Sequence, residues 1–543
     1  MGIDANKVEQ QKVEQQKVEQ KKDKGDTLIW AVSGDADGFQ PIVAETATGG
    51  AMMDLMMPNV TDSGFENGRL IFKPAWAQSW EFSKDSKQLT LHLMKDLKWD
   101  DGKPLTAADL AFTYELIRDP KVTSPRRPYT DNMDPKEPCT VLDPYTIRFN
   151  YLWAYNKQTM MAHAGMSPVP RHLLLDADRM QLRKHPLNKK MPVGHGPFRL
   201  LDWKPDEALR ITRNPRCKTR NVPNIKRIEV RVIQEYATRM AELQKGSIDL
   251  AEGIEVRDID RVRKMPHVKI YKRGYRFMDY IAWNLQNPLF KDRRVRRALT
   301  MSLDIPKFIR SYLTTEGGEV TAAPAYATIT PELTDFTEKK FPLLPYDTKK
   351  AKVLLAQAGW TDSDNDGILD RDGAKFVFTL HTNSGNPRRK KLGVVVKAEL
   401  EKIGVHVNLE YLEANTFFGN LRKKDFEAAI GGWSAGLFPD PAVMWMSETE
   451  KKPRPFNFTG YSNPDADEIM RLMRRTSDLE KEKKLMKSLL RVVYEDQPYT
   501  FLFWRAEYFA LHKRFRGVTP NVLSVLYGVE DWWVPKAEQK YKF

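Results

Sequence analysis

Leu89, Leu91 and Leu93 alternate with Thr90, His92 and Met94, the two-residue period of a strand with one buried face. The chain then reaches Trp99 and a tight Asp100-Asp101-Gly102 turn, where glycine tolerates a positive φ. Thr106 stands as a helix cap, with Asp109 as the acidic half of a capping box. Leu110, Tyr114 and Ile117 follow at helical spacing, so the pattern predicts strand, turn and helix over 89–117. Elsewhere TLIWAV (27–32), KFVFTL (375–380) and DFEAAI (425–430) read as strands. KDRRVRRALTMSLD (291–304) reads as an amphipathic helix with Val295, Leu299 and Leu303 inward. Strands and helices mix without strict βαβ repetition, which predicts an α/β fold with interrupted sheets rather than a barrel.

The first residues follow another rule. KVEQQ starts at Lys7, repeats at Lys12 and decays by Asp26. Valine is the only apolar residue of the repeat and can bury no core, so residues 1–26 are expected to be a disordered tether. Met1-Gly2 fails as a myristoylation signal because position 6 is Asn6. With 543 residues the rest should divide into two or three domains. No apolar run approaches the roughly 18–20 residues that span a bilayer. The N-terminus also lacks the apolar core of a secretory signal, so an exported protein is expected here in mature or trimmed form. Cys139 and Cys217 fit one disulfide or two free thiols.

The formal net charge of +15 raises the question of nucleic acid. Its densest cluster is Arg293, Arg294, Arg296 and Arg297 on the amphipathic helix. A solvated helix face is the better account of these arginines than a phosphate-binding patch. The remaining charge is diffuse, so no nucleic-acid partner is expected.

Several motifs could carry chemistry. Gly432-Trp433-Ser434-Ala435-Gly436 follows a strand and matches the nucleophile elbow of serine hydrolases. An elbow needs a helix directly after the serine, and Pro439 and Pro441 oppose one; His512 is the only histidine downstream. Asp362, Asp364, Asp366 and Asp370, with Gly367 for the turn, form a calcium-loop pattern. The position where an EF-hand places its bidentate glutamate holds Gly373. A solvated hairpin is therefore the competing account, and any calcium would be structural. Gly194-His195-Gly196 lacks the third glycine of a dinucleotide fingerprint, and no Walker A or HExxH sequence is present.

The turn and helix start at 99–109 also carry a family signature. WDDGKPLTAAD (99–109) resembles the signature of the family 5 extracellular solute-binding proteins, the receptors of oligopeptide and dipeptide ABC importers. Further phrases resemble the family in order: VLDPYTIRF (141–149), VGHGPFRLLDWKPDEALRITRNP (193–215), ELQKGSIDLAEG (242–253), YIAWNLQNPLFKDRRVRRALTMSLD (280–304), YDTKKAKVLLAQAGW (346–360) and NFTGYSNPDAD (457–467). His195 stands where the family usually has threonine.

The resemblance implies a two-lobed type II periplasmic-binding-protein fold, α/β, with an extra subdomain in the first lobe. Residues 27–279 and 507–543 would form lobe I, with the insert near 76–190, and residues 280–506 lobe II. The implied function is a receptor that catalyses nothing. It would be a monomer in the periplasm or on the outer face of the cytoplasmic membrane, in the latter case as a tethered lipoprotein. It would capture a solute, foremost a peptide, and deliver it to an ABC permease without a required cofactor. The serine hydrolase around Ser434 is the alternative. Asp440 matches the family position that takes a peptide's α-amino group, and Trp433, Tyr280, Phe458 and Tyr461 would line the ligand site.

Overall fold

The computed structural model describes residues 24–541, apart from Met191, Ala435, Phe438, Pro439, Glu450, Lys451, Lys452, Pro453 and Pro455. The KVEQQ repeat lies outside the described residues. The chain divides into two compact units. One takes the residues up to Gly64, then Ile71–Arg273 and those from Tyr508 onward; the other takes Phe65–Leu70 and Gly274–Glu507. Strand Val268–Trp283 carries the chain from the first unit into the second, and strand Tyr499–His512 carries it back. The first change of unit thus falls inside a strand, earlier than the boundary read at 279/280, and Asp279 belongs to the second unit.

In the first unit, strand Gly25–Val32 lies parallel to Ile225–Val232 on one side and to Leu250–Glu252 on the other. Its residues are buried almost throughout, the mark of a strand covered on both faces. Ile225–Val232 continues antiparallel to Ala208–Arg213, which pairs with Phe198–Lys204. The strand begins at Gly25, so Gly25 and Asp26 do not belong to a tether. Asp26 is buried and ion-paired with Arg514, and it accepts hydrogen bonds from the Lys540 and Tyr541 backbone N–H groups. A buried carboxylate needs such partners, which fix this end of the chain.

Residues 89–117 fold as their pattern predicts. Strand Gln88–Leu93 turns Leu89, Leu91 and Leu93 inward. Gly102 has φ 88°, and Thr106 and Asp109 close a capping box on helix Ala107–Arg118. The helix covers a four-stranded antiparallel sheet in the order Ala77–Phe82, Gln88–Leu93, Thr146–Asn150, Cys139–Asp143. Trp76, Trp99, Leu110, Tyr114 and Phe149 are in its core. Cys139 and Cys217 are both free thiols, and burial pushes the Cys139 thiol up to about 11, which makes it a poor nucleophile at neutral pH.

In the second unit, parallel strands His406–Leu412 and Val377–Asn383 adjoin Ala428–Ser434, which runs antiparallel to the end of Val268–Trp283. Helix Pro387–Glu401 makes the crossover between the two parallel strands, started by the Asn386 cap and Pro387. Helix Arg293–Met301 buries Val295 and Leu299 as its periodicity requires. Its arginines are not one solvated face. Arg296 is buried and donates to the carbonyls of Phe290, Lys291, Asp496 and Gln497. It thereby satisfies carbonyls at the end of helix Leu479–Asp496 that the helix itself leaves unpaired. Arg294 pairs with Asp292 and Arg297 with Glu495.

Candidate ligand-binding site

The candidate site of the second unit grows from two paired strands. Gly431 lies opposite Tyr280 and Gly432 opposite Asp279. A side chain at Gly431 would meet the Tyr280 hydroxyl at 2.5 Å, and one at Gly432 would collide with the Arg389 guanidinium. Both positions therefore need glycine for close approach rather than for backbone angle.

Around Gly431 the side chains are aromatic. Tyr280 stacks on Tyr499 with centroids 4.1 Å apart and planes 6° from parallel. Trp433 lies 6.1 Å from Tyr280 and stacks on Phe458 at 5.1 Å, while Phe456 meets Trp433 edge-on at 5.9 Å. Tyr280 and Phe458 are interior, Trp433 is half-buried and Phe456 is exposed. The stack ends at a surface formed by Trp433 and Phe456.

Around Gly432 the side chains are charged. Asp279 is fully buried, and three guanidiniums converge on it. Arg388 Nε donates to Oδ2 at 3.1 Å and Nη2 to Oδ1 at 3.2 Å; Arg389 Nε donates to Oδ1 at 3.2 Å; Arg505 Nε donates to Oδ2 at 2.9 Å. Arg389 also donates to Asn383 Oδ1 at 2.9 Å, and Arg505 lies 5.4 Å from the Phe277 ring. Burial alone would raise the Asp279 pKa, but Arg505, Arg388 and Arg389 overcome it and hold the carboxyl well below the usual range. Arg388 and Arg505 keep 26% and 24% of their side chains exposed, and Arg389 keeps 11%.

The sequence-predicted ligand residues take different places. Asp440 accepts from Arg474 at 2.7 Å and from the Ala442 backbone N–H at 3.1 Å, so its charge is already paired. Tyr461 is buried, with its hydroxyl donating to Asp496 at 2.7 Å. Tyr280 and Phe458 are core members of the aromatic stack. Trp433 alone of the five combines a central place in the stack with open surface. The cluster at Asp279 was missed, although a lone acid inside the apolar run FMDYIAW and the pair Arg388-Arg389 at a helix start were its signals.

The hydrolase alternative fails on geometry. Ser434 is exposed at the end of its strand, and the next helix, Ala442–Trp445, does not follow it directly. His512, in the first unit, lies against His267 with centroids 5.4 Å apart and planes tilted by 47°, and it accepts from the Arg514 backbone N–H.

The aspartate loop does gather carboxylates. Oxygens of Asp362, Asp364 and Asp370 lie within 4.8 Å of one another. Lys375 Nζ stands among the acids, 2.6 Å from Asp364, 2.9 Å from Asp366 and 3.8 Å from Asp370. An ammonium thus already supplies positive charge to the loop.

Comparison with known proteins agrees with this architecture. Residues 72–453 match the family described as bacterial extracellular solute-binding proteins, family 5 Middle. Oligopeptide-binding protein AppA of Bacillus subtilis (strain 168) is 32% identical over 446 residues, covering 82% of this chain and 80% of AppA. The structure of AppA with a nonapeptide superposes with a TM-score of 0.79 at 28% identity, covering 95% of this chain and 100% of AppA's. NikZ from Campylobacter jejuni in complex with Ni(L-His) gives a TM-score of 0.79 at 25% identity, covering 93% and 99% of the two chains. The fold is the type II fold of solute-binding receptors. The chain belongs to the family 5 extracellular solute-binding proteins.

Proposed function

We propose that the solute is a peptide, which the protein captures and passes to the membrane permease of an ABC importer. The observation that carries the site is the charge imbalance at Asp279, where three partly buried guanidiniums share one buried carboxylate. That cluster suits the carboxylate end of a peptide, because arginine offers paired N–H donors in a fixed fork. Trp433 and Phe456 offer an aromatic surface that, by the alternation of the strand, lies on the face opposite to Asp279 in the same strand pair. The similarity to an oligopeptide-binding protein supports peptide over other solutes.

The protein works by binding alone, as a monomer, and needs no cofactor. Solute shifts the balance between its conformations only by the difference in affinity for them. Native mass spectrometry of the purified protein, followed by release and sequencing of what it carries, tests the proposal. Recovery of short peptides is expected; recovery of a metal chelate or sugar in their place would overturn it.

A further inference from the structure

Three cations and one anion meet at Asp279, which leaves two positive charges uncompensated in the cluster. Asp279 engages Nε and Nη2 of Arg388 but only Nε of Arg389 and of Arg505. Arg388 Nη1, Arg389 Nη2 and both terminal nitrogens of Arg505 have no hydrogen-bond partner among the described residues. None of them is sealed from solvent in the way that an interior unpaired donor would be.

The unused donors come from two separate elements. Arg388 and Arg389 occupy the first turn of helix Pro387–Glu401, whose N-terminal N–H groups add positive potential there. Arg505 projects from strand Tyr499–His512. Asp279 holds both sets to one centre, so their separation is fixed before any ligand arrives. One carboxylate can take the fork of one set and still leave the other set uncompensated. Like charges held together cost free energy that a second negative group on the ligand would relieve.

We propose, on the basis of the receptor function above, that the site selects solutes carrying two negative charges at one end, such as a peptide whose C-terminal residue is glutamate or aspartate. The terminal carboxylate meets one arginine set and the acidic side chain meets the other. Asp279 is the positioning residue that holds both.

Titration calorimetry on the full chain tests this with tetrapeptides that differ only at the last residue: Glu, Gln, or Glu as its α-amide. Glutarate serves as a dianion that lacks a peptide. The Glu peptide should bind about tenfold tighter than the Gln peptide, and Arg505→Gln should reduce that ratio to near one. Equal affinity of the Glu and Gln peptides would overturn the dianion preference and leave the peptide receptor standing. Binding of glutarate, lost in Arg505→Gln, with no binding of any peptide would keep the dianion site and remove the peptide. Binding of none of these ligands would overturn both.

Discussion

Tyr280 and Tyr499 stack face to face with their centroids 4.1 Å apart, and Tyr280 directly follows the buried carboxylate of Asp279 in the chain. The aromatic packing and the charged cluster are therefore positioned by the same stretch of strand. Tyr499→Ala should destabilise the second unit by about 3 kcal/mol or more, since it removes a buried ring and leaves a cavity. Urea unfolding followed by fluorescence measures the loss. Tyr499→Phe keeps the ring and should cost much less.

Asp279→Asn removes the charge that three guanidiniums surround. Breaking a buried ion cluster on one side costs about 3–5 kcal/mol. The double variant Asp279→Asn, Arg505→Met should recover part of the loss, because it withdraws one unpaired cation. Denaturant midpoints of the two proteins decide this; no recovery would mean that Arg505 does not feel Asp279.

The first unit carries an opposed pair of titrations. His195 is buried beside Trp99 and Trp76, at centroid distances of 5.4 and 6.3 Å, and neither ring nitrogen has a hydrogen-bond partner among the described residues. Burial, aided by the Arg220 charge, pushes its pKa down from 6.5 to about 3. Asp100 accepts from the Gly194 backbone N–H and from Asn214, yet burial still pushes its pKa up from 3.8 to about 6. As pH falls from 6.5 toward 3 the unfolded chain takes the His195 proton that the native protein refuses, so stability is lost. As pH rises from 3.8 through 6 the native protein gives up the Asp100 proton that the unfolded chain has already released, so that contribution is lost in the other direction. The two slopes oppose each other between about pH 4 and 6. Relative to the parent, His195→Thr should gain stability on acidification across this window and Asp100→Asn should lose it. Each changes the slope by at most about 1.4 kcal/mol per pH unit. Parallel stability–pH curves for all three proteins would contradict the pairing.

Lys375 Nζ stands where a cation held by the aspartate loop would have to compete with it. With the ammonium among Asp364, Asp366 and Asp370, a chelator should leave the melting temperature unchanged. Lys375→Met should make it rise on addition of calcium, because the carboxylates then repel one another until a cation enters. A parent protein that melts earlier in chelator would show that calcium binds in spite of the lysine.

Much of the fold was legible where local chemistry and tertiary packing agree. Leu89, Leu91 and Leu93 alternate because one face of their strand is core, and Thr106 and Asp109 close their box within one helical turn. The site was less legible, because its parts meet only through the sheet. Asp279 is separated from Arg388 by 109 positions and from Arg505 by 226. Arg474, the partner of Asp440, lies 34 positions on, so nothing near Asp440 marked its charge as already paired. Arg296 misled for the same reason: its charge suggests water, while its partners are carbonyls of a distant helix end.

On this reading a carboxylate-ended peptide binds at the arginine cluster of Asp279. Titration calorimetry of one tetrapeptide as its free acid and as its C-terminal amide tests it most directly. Charge-assisted hydrogen bonds of about 1.5–3 kcal/mol should make the free acid bind at least about tenfold tighter. Equal affinity for acid and amide would mean that the arginine cluster does not take the peptide's terminal carboxylate.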